Sequence, residues 1–175
     1  MELKEVLEKR RSIRKFKPTE IPDEKIREIL QLAQLAPSAG NVQAYKIKVI
    51  KHEQDKQKLR EASFSSQGAK QDWIASVPAV LIICADMDES EKRFGERGKK
   101  LYAIQDATIL TSYIQLVITS LGLASGWLGN FKEEDLKSLL NLPGNLRIVA
   151  IIPFGYPDGE PAPRTRKKLD EILLN

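Results

Sequence analysis

The chain has 175 residues, 42% hydrophobic and 30% charged, which supplies a core and excludes a disordered chain. Its net charge of +4 is concentrated in two clusters, Lys9, Arg10, Arg11, Arg14, Lys15 and Lys17 near one end and Arg164, Arg166, Lys167 and Lys168 near the other, without which the balance is negative. A diffuse basic coat would suggest nucleic acid, whereas compact clusters suggest a phosphate-sized anion or a basic face.

The first predicted element is an amphipathic helix over about residues 2–10, with the first basic cluster at its end. Pro22, Asp23 and Glu24 mark a helix start, with proline in the first turn and acids at the positive dipole end. Ile26, Ile29, Leu30 and Ala33 give that helix its inward face, and Pro37 stops it. Pro37-Ser38-Ala39-Gly40-Asn41 is a turn-rich loop. From Tyr45 to Ile50 apolar and lysine residues alternate, which predicts a half-buried strand. Residues 52–62 predict a polar surface helix, and Ala79–Ala85 a buried strand. Residues 87–100, polar and glycine-containing, are expected to form a loop running into a helix over about 101–121. That helix is apolar on nearly every face, which implies packed layers on both sides or a subunit interface. A short helix over 132–141 and a third strand over Arg147–Phe154 precede a polar, proline-rich tail. With no repeat and no linker, residues 1–175 are expected to form one domain of the α+β or α/β class.

The absences narrow the chemistry. Cys84, the single cysteine, lies in an apolar run and excludes an internal disulfide or a thiolate metal site. His52, the single histidine, sits among Lys, Gln and Glu, which argues against a histidine triad or a metal centre. The charge-free run Ala107–Phe131 is broken by hydroxyls and a glutamine, and falls short of the roughly 18 unbroken apolar residues of a membrane span. No secretory pattern opens the chain, so the expected compartment is the cytoplasm, with no membrane partner.

Four segments are candidate sites. Arg10-Arg11-Ser12-Ile13-Arg14 can surround a phosphate with charge-assisted forked hydrogen bonds, although a basic patch after a surface helix is ordinarily just solvated. Asn41 and Gln43, after Pro37-Ser38-Ala39, offer donors and acceptors suited to an imide-like ring edge, or simply a helix-to-strand turn. In Ser125-Gly126-Trp127-Leu128-Gly129-Asn130 two glycines let backbone approach a flat ligand, or make a turn around a packed tryptophan. Arg164-Thr165-Arg166-Lys167 alone reads as a solvated tail. No G-x-G-x-x-G or P-loop occurs. Anion clusters without acid–base or nucleophilic machinery fit an enzyme whose organic cofactor does the chemistry.

These segments, in this order, resemble the nitroreductase family. Arg-Arg-Ser-Ile-Arg-Lys-Phe from Arg10 to Phe16 matches its R-R-S-x-R-x-F run, and Ala36 to Gln43 matches A-P-S-x-x-N-x-Q. Gly122-Leu123 with Trp127-Leu128-Gly129-Asn130-Phe131 matches G-L-x-x-x-W-x-G-x-F, followed by Gly155-Tyr156-Pro157 and the basic tail. The resemblance spans nearly the whole chain. It implies an α+β sandwich, a mostly antiparallel mixed sheet flanked by helices, with the long buried helix at the interface of a homodimer. It implies FMN held by Arg10, Arg11, Ser12 and Arg14, with Arg164 and Arg166 closing on the phosphate. Pro37, Ser38, Ala39, Asn41 and Gln43 would reach the flavin from the partner subunit, and the backbone of Leu128 and Gly129 would lie beside its N5 edge.

By the same resemblance NADH or NADPH would be the donor and an electron-poor small molecule, such as a nitroaromatic or quinone, the acceptor. No catalytic side chain and no metal are expected. Two departures stand out: Ala44 and Tyr45 replace the family's usual proline and tryptophan, and the 87–100 segment is brief. The alternatives are a flavin reductase, another flavin-dependent dehydrogenase or dehalogenase, or an FMN-binding protein without turnover. A nucleic-acid module is disfavoured because the basic clusters lack interleaved aromatics apart from Phe16.

Overall fold

The computed structural model describes residues 1–159 and 162–174, and only the backbone of 65–70. Four strands form one antiparallel sheet in the order β1-β2-β4-β3: β1 (Tyr45–Ile50), β2 (Ala79–Asp86), β3 (Ala124–Ser125) and β4 (Leu146–Gly155). Its parallel component, among the described residues, is the isolated bridge between Ser12 and Ser125. The helices are α1 (Leu3–Lys9), α2 (Asp23–Ala33), α3 (Glu53–Phe64), α4 (Met87–Arg97), α5 (Ala103–Ser120) and α6 (Glu133–Leu139).

Every residue of β2 is buried, so its alternate side chains feed two cores. Leu81 and Ile83, with Ala150, Ile152 and Phe154 of β4, pack against α2 and α5. Val80 and Ile82, with Ile148 and Ile151, pack against Leu59 of α3 and Leu136 of α6. Ile148 and Ile151 share a face because a bulge opposite Ile83 and Cys84 makes Val149 an extra residue in β4. The result is a three-layer α+β arrangement, helices on both faces of the sheet. β1 is an edge strand: Tyr45 and Ile47 rest on the α2–α5 core as the alternation predicts, while Val49 on the same face is 39% exposed. His52 is exposed, and burial pushes the thiol of Cys84 up to about 11, an inert packed cysteine.

Two expectations are corrected. Residues 87–100 do not form a loop: α4 starts directly after β2, capped by Asp86 accepting from Glu89 N–H at 3.2 Å, and a π-helical turn, Gly98–Tyr102, joins it to α5. Its polar composition is a solvated helix face laced with lysine–carboxylate pairs. The sheet also gains β3, two residues inside what reads as a glycine loop. By length and hydropathy the helical stretch Met87–Ser120 is long enough to cross a bilayer, yet Ala103, Ala107, Leu110, Ile114 and Ile118 of α5 lie inside the core against the sheet.

Candidate functional site

The segment after α1 has no helix or ladder of its own, so its backbone polar groups are satisfied by distant parts of the chain. Ile13 N–H donates to Ser125 O at 3.0 Å, Lys17 N–H to Tyr156 O at 2.9 Å, and Asp158 N–H to Lys15 O at 3.0 Å. Residues 12–17 are thereby laid between β3 and the turn after β4. Phe16 stacks on Trp73, ring centroids 6.2 Å apart, and anchors the segment's far end. Gly126 eases this close approach: a Cβ at that position would stand 3.0 Å from Ile13 O.

This anchoring opens a cleft of about 690 Å³ lined by Arg10, Arg11, Ser12 and Arg14 from the N-terminal segment and Arg164 and Arg166 from the tail. Six of the thirteen expected site residues therefore meet in one place. Lys15 and Asp158 close its rim with an ion pair of 2.8 Å. None of the five arginines has a carboxylate within ion-pair distance among the described residues; Arg11 donates to Arg10 O at 2.9 Å and Arg166 to Thr165 O at 3.0 Å. Burial, then the like charges of Arg166 and Arg11, lower the pKa of the Arg10 guanidinium. Such crowding is unfavourable without an anion, and a phosphate dianion is the complement the donors fit.

Leu128 and Gly129 differ in what they can offer. The N–H and C=O of Leu128 are both bonded to Ile151, at 2.9 and 3.0 Å, and its side chain is buried. Gly129 N–H has no partner among the described residues, and a Cβ there would meet nothing closer than Trp127 Nε1 at 3.7 Å. Of the two, Gly129 is the free donor.

Pro37, Ser38, Ala39, Asn41 and Gln43 line no part of that cleft. They form a tight turn between α2 and β1 in which Gly40, Asn41 and Gln43 all have positive φ, at 51°, 58° and 55°. For Asn41 and Gln43 this left-handed backbone costs roughly 1–2 kcal/mol each, strain of the kind that gathers at functional sites. Gln43 N–H donates to Ser38 Oγ and Gln43 Nε2 to Asn41 Oδ1, both at 3.0 Å, and both amide side chains face solvent.

Two residues that hold this turn were not foreseen. Asp106, 2% exposed in α5, accepts from Ala39 N–H at 2.9 Å, while its other oxygen and the buried hydroxyl of Tyr45 have no partner among the described residues. Burial raises the pKa of the Asp106 carboxyl, against the Ala39 bond that lowers it; burial, then Asp106, raises that of Tyr45. Arg93 of α4 donates to Gly40 O. The signal available for Asp106 was a lone carboxylate one residue before the charge-free stretch of an apolar helix.

The model of the nitroreductase family matches residues 7–68 and 64–156. A protein of Thermus thermophilus named NADH dehydrogenase is 31% identical over 193 residues, covering 95% of this chain and 92% of its own. Among solved structures, a nitroreductase family protein of Clostridium difficile 630 is 31% identical with a TM-score of 0.83, covering 99% of this chain and 98% of its own. An FMN-dependent nitroreductase of Clostridium difficile R20291 is 28% identical with a TM-score of 0.74, covering 95% and 92%.

Proposed function

Given that the chain belongs to the nitroreductase family, we propose that it is an FMN-dependent oxidoreductase, taking hydride from NADH or NADPH and reducing an electron-poor small molecule such as a nitroaromatic or quinone. Residues 1–175 work as one domain, in a cytoplasmic homodimer. The observation that carries this reading is the arginine cleft, five guanidiniums gathered from both ends of the chain, none of them within ion-pair distance of a carboxylate among the described residues.

Arg10, Arg11 and Ser12 bind the phosphate and ribityl chain, with Arg164 and Arg166 closing from the tail. When bound, the flavin supplies reversible hydride acceptance and donation, which no side chain of this protein offers. Arg14 holds a positive charge on the pyrimidine side, where reduction builds negative charge. Gly129 N–H is the donor left for the N5 edge. Pro37, Ser38, Ala39, Asn41 and Gln43 serve the flavin of a second copy, a role supported by the exposure of Pro37, Asn41 and Gln43, the strained backbone of Asn41 and Gln43, and the separation of all five from the cleft of their own chain. A homodimer is further supported by apolar side chains left open on adjoining helices, Leu3 and Leu7 of α1 and Ile109 and Tyr113 of α5. No metal is called for, and no cluster of three or more His, Cys, Asp or Glu suited to one occurs among the described residues.

The test is the visible spectrum of the purified protein before and after NADH or NADPH is added without oxygen. Flavin bands that bleach support the reading, and acceptors can then be ranked among nitroaromatics, quinones, free flavin and halogenated aromatics. Bands that persist would make it a flavoprotein without nicotinamide turnover. No bands, even after FMN is added back and the excess removed, would overturn it.

A further inference from the structure

We propose that Arg93 and Arg97 form a clamp for an anionic group, phosphate or carboxylate, on the small molecule that exchanges electrons with the flavin. The proposal rests on the flavin reading above, because the 37–43 turn is what carries the pair to a flavin site.

The basic residues around α4 fall into two classes. Lys92, Lys99 and Lys100 each have a carboxylate within ion-pair distance: Glu89 at 2.8 Å, Glu91 at 2.7 Å and Glu96 at 2.6 Å. Arg93 and Arg97 have none among the described residues. They stack on aromatic rings instead: Arg93 Cζ lies 5.5 Å from the Phe94 centroid and Arg97 Cζ 5.5 Å from that of Tyr102. Phe94 and Tyr102 meet edge to face at 5.3 Å, which joins the four side chains into one ladder. A guanidinium laid on a ring is pre-organised while its N–H edge stays available. Of five N–H donors apiece, the hydrogen bonds shown use one on Arg93, to Gly40 O, and one on Arg97, to Tyr102 Oη at 3.0 Å.

The backbone is bent to make this ladder. Gly95, at φ 59° and ψ −151°, occupies a conformation essentially closed to other residues, and it interrupts α4 between the two arginines. The ladder is also welded to the turn: a Cβ on Gly40 would stand 2.8 Å from Arg93 Cζ and 2.9 Å from Phe94 Cζ. Wherever Asn41 and Gln43 meet a flavin, Arg93 comes with them through Gly40 and Arg97 is tied to Arg93 through the ring ladder, and planar forks without a carboxylate partner recognise phosphate or carboxylate.

The FMN-loaded protein and its Arg97→Gln variant can be titrated with NAD+ against uncharged nicotinamide, and with 4-nitrobenzoate against nitrobenzene, following the flavin absorbance. The expected result is an about tenfold weaker Kd of Arg97→Gln for one of the two anionic probes, with both neutral probes unchanged. Loss on NAD+ identifies a phosphate and loss on 4-nitrobenzoate a carboxylate. Equal Kd values for both anions in the two proteins, each holding a full complement of FMN, would overturn the clamp alone. Failure of the unsubstituted protein to hold FMN would overturn the flavin reading and the clamp with it. Arg97→Lys, which keeps the charge and loses the stacked fork, serves if the glutamine variant does not fold, with the same weakening expected and an unchanged Kd again decisive.

Discussion

The arginine cleft and the 37–43 turn are built in opposite ways. The cleft is lined from one chain: its walls come from residues 10–15 with Asp158, Gly159, Ala162, Arg164 and Arg166, its backbone is tied by long-range bonds, and its arginines crowd like charges together. The turn lines no part of that cleft. Its amides point into solvent, its backbone is strained at Asn41 and Gln43, and it is held from behind by Asp106 and Arg93. The cleft is marked by crowded like charge, the turn by backbone strain.

The largest expected effect breaks or proves that division. Arg10→Ala and Asn41→Ala should each deplete bound FMN, yet mixing the two unfolded chains and refolding them should restore FMN to heterodimers, which carry one site free of both substitutions. Absence of recovery would mean that cleft and turn belong to the same chain. Next, Arg10→Ala or Arg166→Ala should weaken FMN binding by roughly 1.5–3 kcal/mol, the range for hydrogen bonds to a charged group, as equilibrium dialysis would show. Asp106→Ala should remove the acceptor of Ala39 N–H and cost about 1 kcal/mol in denaturant unfolding.

Asp106→Asn sharpens the turn's side through pH. With its pKa raised above 3.8 by burial, Asp106 binds its proton more tightly folded than unfolded, so its contribution to stability declines as pH rises from 3.8 through the raised value. Melting curves across that window should show this decline in the parent and lose it in the asparagine variant. The smallest effect belongs to the cleft's rim: Lys15→Ala removes an exposed ion pair with Asp158 and should leave the melting temperature unchanged at physiological salt.

Much of the fold was legible because burial imposes simple periods. Alternation placed β1 at Tyr45–Ile50, and an unbroken apolar run placed β2 within one residue of its observed end. α4 was not legible, since Gly95 and Gly98 amid charges read as loop, while the structure uses Gly95 for a break and the lysines for ion pairs across turns. β3 is two residues long, too short for any period. The arginine cleft was legible from charge; the contacts of Asp106 and Arg93 with the turn were not, because they arise only when α4 and α5 are packed against residues 39–41.

The bridge between Ser12 and Ser125, with the bonds from Lys15 and Lys17 to the turn after β4, brings the two ends of the chain to a single spot. A ligand seated between Arg10 and Arg166 would fasten both termini at once. Because it binds the folded form alone, it would stabilise the whole chain by RT ln(1 + [L]/Kd), about 2.7 kcal/mol at a hundredfold excess over Kd. Flavin supply would then govern the protein's lifetime as well as its chemistry, with the empty form fraying from its ends into the reach of proteases.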